Sequence, residues 1–169
     1  MDLHWPPRAE QETYSYRIGM LSATNAAVVI NEFMADNATT IADPQGDYDD
    51  WIELRNITDQ AVDLGGCYLS DNPDNPRKWQ FPAGTTIPAD GYLLVWADED
   101  GIATPGLHAN FKLSKSGESV LLVDADAHMN MLLDTVTYGA QSTDVSYGRT
   151  AADPDVLGFM VPTPAAQNQ

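Results

Sequence analysis

The residues best suited to chemistry form an acidic loop, in which four aspartates lie within eight residues around a glycine, from Asp43 to Asp50. Calcium takes about six to eight oxygen ligands and tolerates the irregular geometry of such loops. The predicted calcium ligands are therefore Asp43, Asp47 and Asp49. The spacing departs from the EF-hand pattern, and no glutamate stands where that pattern has its bidentate ligand. The alternative is a solvated loop in which Asp50 caps or orients the strand that follows.

Two further acidic segments are weaker candidates for calcium. The first spans residues 71–76 and is rich in Asn and Pro, so that Asx-turns explain its composition without a metal. The second contains Asp124 and Asp126 and lies in a predicted hairpin loop. We therefore expect no cofactor, with calcium as the open alternative, and a calcium titration of the melting temperature distinguishes the two.

Side chains that serve catalysis elsewhere are present, but their spacing does not assemble a catalytic set. Glu32 and Glu53 stand in apolar strand sequences, where accepting backbone N–H groups or pairing with Arg55 is favoured over a hydrolase carboxylate pair. The three histidines show no i, i+2 or i, i+4 pairing, which disfavours zinc. The single cysteine, Cys67, is predicted to be a small buried apolar residue. We therefore predict that the chain is not an enzyme.

Aromatic side chains offer a second binding chemistry, because rings exposed on a β-sheet can stack on sugars. More often such rings fill the core or seal sheet edges. A carbohydrate-binding surface is therefore kept as an alternative to a protein-binding one. The candidate rings are Trp5, Trp51, Trp79, Trp96, Tyr48, Tyr68, Tyr92, Tyr138 and Tyr147.

The charge balance restricts the classes of partner. Twenty-five acidic residues oppose eight basic ones, which gives a net charge of −17. Such a surface repels nucleic-acid phosphates and anionic membranes, so we expect neither nucleic-acid binding nor membrane insertion. At about 1 M salt the Debye length falls to about 3 Å and this self-repulsion nearly vanishes. The composition thus fits either a salt-tolerant source or an ordinary acidic extracellular surface.

Short apolar runs separated by Gly, Pro, Asn and Asp clusters predict an all-β fold. Residues 1–25 differ from the rest and are predicted to be a linker or the tail of a preceding domain, with a strand over 14–18. Residues 26–169 are predicted to form one domain, in which 101–113 is a loop or a turn of helix. The predicted strands are 27–34, 51–56, 67–70, 79–81, 92–97, 119–124, 133–138 and 146–149.

The order of several short motifs resembles the lamin tail domain family. The motifs are Val29-Ile30-Asn31-Glu32-Phe33, then Asp50-Trp51-Ile52-Glu53-Leu54-Arg55-Asn56, then Val62-Asp63-Leu64-Gly65-Gly66-Cys67-Tyr68-Leu69-Ser70-Asp71, with Ser146-Tyr147-Gly148-Arg149 further on. The resemblance extends to the end of the chain, where Pro162-Thr163-Pro164 matches a motif whose following glycine is Ala165 here.

This resemblance implies an immunoglobulin-like β-sandwich. It also implies a non-catalytic interaction or architectural module that is attached to other domains in a secreted or cell-surface bacterial protein. The family's animal members belong to nuclear filaments, but this chain lacks a heptad rod, so a nuclear role is not expected. The protein or carbohydrate partner stays open, and a calcium-dependent or carbohydrate-binding adhesion module is the alternative.

Overall fold

The computed structural model describes residues 27–101 and 103–169, and it is built of β-strands with one 3-10 helix at Asp126–His128. The strands of this part of the chain are β1 (Val28–Met34), β2 (Asp50–Asn56), β3 (Val62–Asp63), β4 (Tyr68–Ser70), β5 (Trp79–Gln80), β6 (Thr86–Ile87), β7 (Tyr92–Ala97), β8 (His108–Ala109), β9 (Glu118–Val123), β10 (Leu132–Tyr138), β11 (Ser146–Arg149) and β12 (Leu157–Met160).

Two larger sheets form the layers of a sandwich. The six-stranded sheet has the order β12-β11-β1-β2-β7-β8, and the four-stranded sheet has the order β10-β9-β4-β5. A small third sheet pairs β3 with β6. Neighbouring strands are antiparallel except β7 and β8, which are parallel. The predicted all-β, immunoglobulin-like sandwich is confirmed.

The main core contains apolar side chains from both of the larger sheets. Along β2, Ile52 and Leu54 point into this core because side chains alternate between the two faces of a strand. From the opposite sheet, Leu122 and Val136 contribute to the same cluster. Burying each aliphatic side chain of this kind stabilises the fold by about 1.5–3 kcal/mol. The side chains on the opposite face of each of these strands point away from the main core, and some of them can contact a ligand.

The outer face of the six-stranded sheet is also covered in part. Trp51 pairs with Trp96 across β2 and β7, and both rings are buried together with Met34. Ile41, from the loop between β1 and β2, packs on this cluster. Strand β2 is therefore buried on both faces near its start, although its alternating sequence is equally compatible with a solvated outer face.

All eight predicted strands within the described residues are present, to within one residue at most ends. Four strands were not predicted: β3, β6, β8 and β12. The first three have only two residues each, too few for a periodic pattern, and β12 is interrupted by Gly158. Within 101–113, the described residues form a loop that contains the two-residue strand β8 and no turn of helix. The predicted strand at 14–18 and linker at 1–25 lie outside the described residues.

Candidate binding sites

The acidic loop between β1 and β2 is held by one of its own carboxylates. Oδ1 of Asp43 accepts backbone N–H groups from Gln45 at 2.9 Å, Gly46 at 2.7 Å and Asp47 at 2.8 Å. Gly46 has a φ of +100°, a conformation that residues with a Cβ rarely adopt. Asp43 is buried, while Asp47 is exposed. The first role of Asp43 is therefore to shape this turn.

The fold brings Asp43 together with two residues from the far end of β7 and from β8. Ligand atoms of Asp43, Asp98 and His108 all lie within 4.8 Å of one another. Nδ1 of His108 contacts an Asp98 carboxylate oxygen, and Nε2 lies 3.2 Å from the carbonyl oxygen of Pro105. Both ring nitrogens thus face acceptors, and only the imidazolium form can donate to both.

The electrostatics of His108 agree with a charged ring. Burial by itself lowers the pKa of His108, but the hydrogen bonds to Asp98 and to Pro105, with the negative charges of Asp98 and Asp43, outweigh it and raise that pKa. The His108 side chain is fully buried and that of Asp98 is 7% exposed. The raised pKa favours the imidazolium form of His108, which would place a positive charge inside an otherwise acidic cluster.

Of the three predicted calcium ligands, only Asp43 belongs to the cluster with Asp98 and His108. Burial raises the pKa of Asp49, and repulsion from Asp98, Asp43 and Asp47 raises it further, so the four carboxylates share one region. Asp98 and His108 were not predicted as part of this cluster, because nothing local in the sequence links them to Asp43. A cationic His108 beside Asp43 would compete with calcium for these carboxylates. Calcium binding at Asp43, Asp47 and Asp49 stays a prediction.

The second acidic loop has local partners. Asp71 forms a salt bridge with Lys78 at 2.7 Å. Oδ1 of Asn72 accepts the backbone N–H of Asp74 at 2.9 Å, which is the Asx-turn expected from the sequence.

The third acidic segment is likewise occupied. Asp126 accepts the Tyr68 hydroxyl at 3.0 Å and pairs with Arg77 at 3.3 Å. Asp124 accepts the backbone N–H of Ala125 at 2.8 Å and lies 3.0 Å from Nδ1 of His128. These contacts account for both aspartates without a metal.

Two buried glutamates hold the last described segment against the outer face of the six-stranded sheet. The carboxylate of Glu32 accepts the backbone N–H of Thr163 at 3.0 Å and its hydroxyl at 2.8 Å. Glu53 accepts the backbone N–H of Ala165 and the side-chain amide of Asn31, the latter at 2.7 Å. As predicted, both glutamates accept backbone N–H groups, which Thr163 and Ala165 supply, and the charge of Arg55 also acts on Glu53.

We call Glu32, Glu53 and the residues that they hold the glutamate clamp. Within it, the effect of burial on the pKa of Glu53 exceeds the effect of its hydrogen bonds. Burial raises the pKa of Glu53 to about 7, against the lowering effect of its hydrogen bonds with Asn31 and Ala165. Asn168 extends the contact, because its amide donates to the carbonyl oxygens of Asn31 at 3.2 Å and Arg149 at 2.6 Å. The segment from 163 to 168 is therefore fixed by polar groups that β1, β2 and β11 provide.

The single cysteine and three of the candidate aromatic rings are buried. Cys67 is buried, and burial together with Asp124 raises the pKa of its thiol to about 11, which fits the predicted inert role. Trp51, Trp79 and Trp96 are buried, so they do not form an exposed platform for sugars. Tyr48 is 50% exposed, and Trp5 lies outside the described residues.

An apolar sheet edge is exposed at β12, which sequence reasoning missed. This strand is the outermost of its sheet and pairs only with β11 among the described strands. Phe159 is 57% exposed and packs against Tyr147 with ring centroids 5.1 Å apart, and Val161 just beyond the strand is 75% exposed. A free edge with apolar side chains offers both backbone hydrogen-bonding groups and a hydrophobic contact.

Among the described residues, no helix has the length and apolar character that crossing a bilayer requires.

Comparison with known proteins gives one informative match. No curated protein matches the chain in sequence. A family model described as Lamin Tail Domain matches residues 22–140, which include the strands from β1 to β10 and the acidic loop. The chain therefore belongs to the lamin tail domain family, whose immunoglobulin-like modules serve protein interaction and architecture and are generally non-catalytic.

Proposed function

We propose that this chain is a non-catalytic interaction and architectural module of a larger bacterial protein that is secreted or displayed at the cell surface. The observation that carries the proposal is the exposed edge of β12, with Phe159 and Val161 beside it. An extended segment of a partner can add to such an edge through backbone hydrogen bonds, while the apolar side chains give selectivity. The acidic surface favours a partner segment that is neutral or basic.

Site-directed photo-cross-linking in cells of the source organism tests the proposal. A cross-linker is placed at Phe159 of the full-length protein and, as a control, at Asn75, which is exposed in the loop between β4 and β5. We expect a discrete partner from position 159 only. Protease treatment of intact cells, followed by detection of the chain, tests whether it is displayed outside.

The cross-linked partner is then purified and its affinity for variants is measured. Phe159→Lys should weaken binding at least tenfold, because a buried aromatic contact is replaced by a charge. Tyr48→Lys is the matched control, since Tyr48 is exposed to a similar degree, at 50% against 57%. Equal losses for both variants, or the same cross-links from both positions, would rule out the β12 edge as the binding surface.

The calcium-dependent alternative is tested on the same protein. If calcium binds at Asp43, Asp47 and Asp49, a hundredfold excess over Kd should raise the free energy of unfolding by about 2.7 kcal/mol. The rise should be lost in Asp47→Asn, because the variant removes a charged ligand. The variant should still fold, because the Asp47 side chain is exposed and only its backbone N–H bonds to Asp43. An unchanged melting temperature with calcium would dismiss this alternative.

A further inference from the structure

A pocket of about 310 Å³ opens on the outer face of the six-stranded sheet, beside the clamped segment 163–168. Its walls come from β1, β2, the loop between β11 and β12, and residues 167–168. Val29, Ile57 and Pro154 make the walls largely apolar, and Arg55 contributes a guanidinium. Asn31 and Asn168, which belong to the glutamate clamp, also line the pocket, so it lies at the edge of that clamp.

Arg55 differs from the other arginine in this pocket. Arg149 donates to the carbonyl oxygens of Ile30 at 3.0 Å and Pro154 at 2.8 Å, and it pairs with Asp134 at 2.8 Å. Arg55 forms no salt bridge with any described acidic residue, and the described part of the chain offers no hydrogen-bond partner to its buried Nε. The guanidinium of Arg55 makes a cation–π contact with Tyr92, with its central carbon 5.6 Å from the ring centroid.

A guanidinium without a salt bridge to any acidic residue of the described part of the chain is unusual on this molecule, because acidic residues outnumber basic ones by twenty-five to eight. Glu53, on the same strand face, accepts hydrogen bonds from Asn31 and Ala165, and the charge of Arg55 acts on it without a salt bridge, lowering its pKa. A buried N–H donor without a partner loses a hydrogen bond that water would otherwise supply. Because Nε itself is closed to solvent, a ligand acceptor in the pocket would bond to the terminal nitrogens of the Arg55 guanidinium, which donate no hydrogen bond to the described residues.

We propose that this pocket binds a carboxylate that carries a short apolar group, with Arg55 as the anchoring residue. The planar guanidinium matches a carboxylate in two parallel N–H···O bonds. A single cation suits one negative charge, whereas phosphate sites usually add a cluster of backbone N–H groups or several basic residues. The apolar walls fit a side chain as small as that of Val or Ala. The proposal does not depend on the β12 edge.

The carboxylate can belong to the C-terminal residue of a peptide or to an acidic side chain, and binding experiments separate these sources. The probes are N-acetyl-Ala-Val with a free carboxylate, its C-terminal amide, and an internal-aspartate peptide with both ends blocked. Binding to the ¹⁵N-labelled chain is followed by NMR at the amides of Ile57 and Ala151 and at the Arg55 Nε–H. A saturable shift with either carboxylate peptide, at least tenfold weaker with the amide, supports the proposal.

Variants assign the interaction to Arg55. Arg55→Gln should weaken carboxylate binding at least tenfold, because it removes the charge-assisted hydrogen bonds to the carboxylate. Arg55→Lys should bind less tightly than the original residue, because an ammonium group lacks the planar fork of a guanidinium. Arg77→Gln is the matched control, because it removes the same charge from the loop between β4 and β5 and should leave binding unchanged.

A second variant keeps the test valid if Arg55→Gln fails to fold. Ala151 is exposed in the loop after β11 and lines the pocket, so Ala151→Trp should block the pocket with little effect on stability. Equal affinity for the amide and the free carboxylate, tighter binding of inorganic phosphate, unchanged affinity in Ala151→Trp, or no binding of any carboxylate probe would each overturn the proposal.

Discussion

The contact of His108 with Asp98 predicts a large stability change when either side chain is replaced. His108 lies on β8, and Asp98 follows β7, so their ion pair fastens the short parallel strand to the end of its neighbour. His108→Gln leaves the Asp98 carboxylate buried without a cationic partner. Asp98→Asn leaves the imidazolium with a neutral acceptor, although the charge of Asp43 lies close by.

The magnitude follows from the burial of both partners. Removing one member of a buried, hydrogen-bonded ion pair destabilises a protein by about 3–5 kcal/mol. For a domain of this size, each kcal/mol lowers the melting temperature by about 2–4 °C, so His108→Gln should lower it by roughly 10 °C. The double variant removes both charges and should be less destabilised than the sum of the singles, with an interaction energy of about 1–3 kcal/mol.

Urea unfolding followed by tryptophan fluorescence at pH 6 and pH 9 measures these values. Because the folded-state pKa of His108 is raised, its stabilisation is complete below the unfolded-state pKa of about 6.5 and is lost as pH rises through the folded-state value. The gap between the original protein and His108→Gln should therefore shrink at pH 9.

Two results would contradict this account of His108. Additive losses in the two single variants at pH 6 would show that the side chains do not interact energetically. A gap that is the same at pH 6 and pH 9 would show that folding does not raise the pKa of His108.

Three further predictions concern the clamp and a close strand approach. Burial raises the pKa of Glu53 to about 7, so the folded protein binds a proton more tightly than the unfolded chain. The free energy of unfolding should therefore fall by on the order of 3 kcal/mol as the pH rises from about 4.5 to about 7. In urea titrations, Glu53→Gln should remove most of this pH dependence. Ala165 has a φ of +61°, so Ala165→Gly should raise the melting temperature by relieving about 1–2 kcal/mol of left-handed strain, offset by about 0.4–1 kcal/mol of chain entropy. Gly148→Ala would place a Cβ 2.3 Å from the Asn31 carbonyl oxygen and should destabilise by about 3 kcal/mol, whereas Gly139→Ala, with open space, should not.

The main strands and the family could be predicted from the sequence because their signals are local. Alternation in Asp50–Asn56 fixed which side chains enter the core, and the runs at Tyr92–Ala97 and Ser146–Arg149 gave strands whose ends match the structure. The Asx-turn after Ser70 and the inert burial of Cys67 were also predictable, since a side chain of each type favours that environment by itself.

Tertiary structure alone decided which distant polar groups meet. Nothing near Asp43 in the sequence indicates that Asp98 and His108 close around it, and nothing near Glu53 indicates that the N–H of Ala165 is its partner. That Arg55 forms no salt bridge with a described residue is likewise a property of its surroundings, because Glu53 on the same strand face accepts hydrogen bonds from Asn31 and Ala165. Sequence periodicity reports the face on which a side chain lies, whereas its charge partners depend on how separate strands and loops pack against that face.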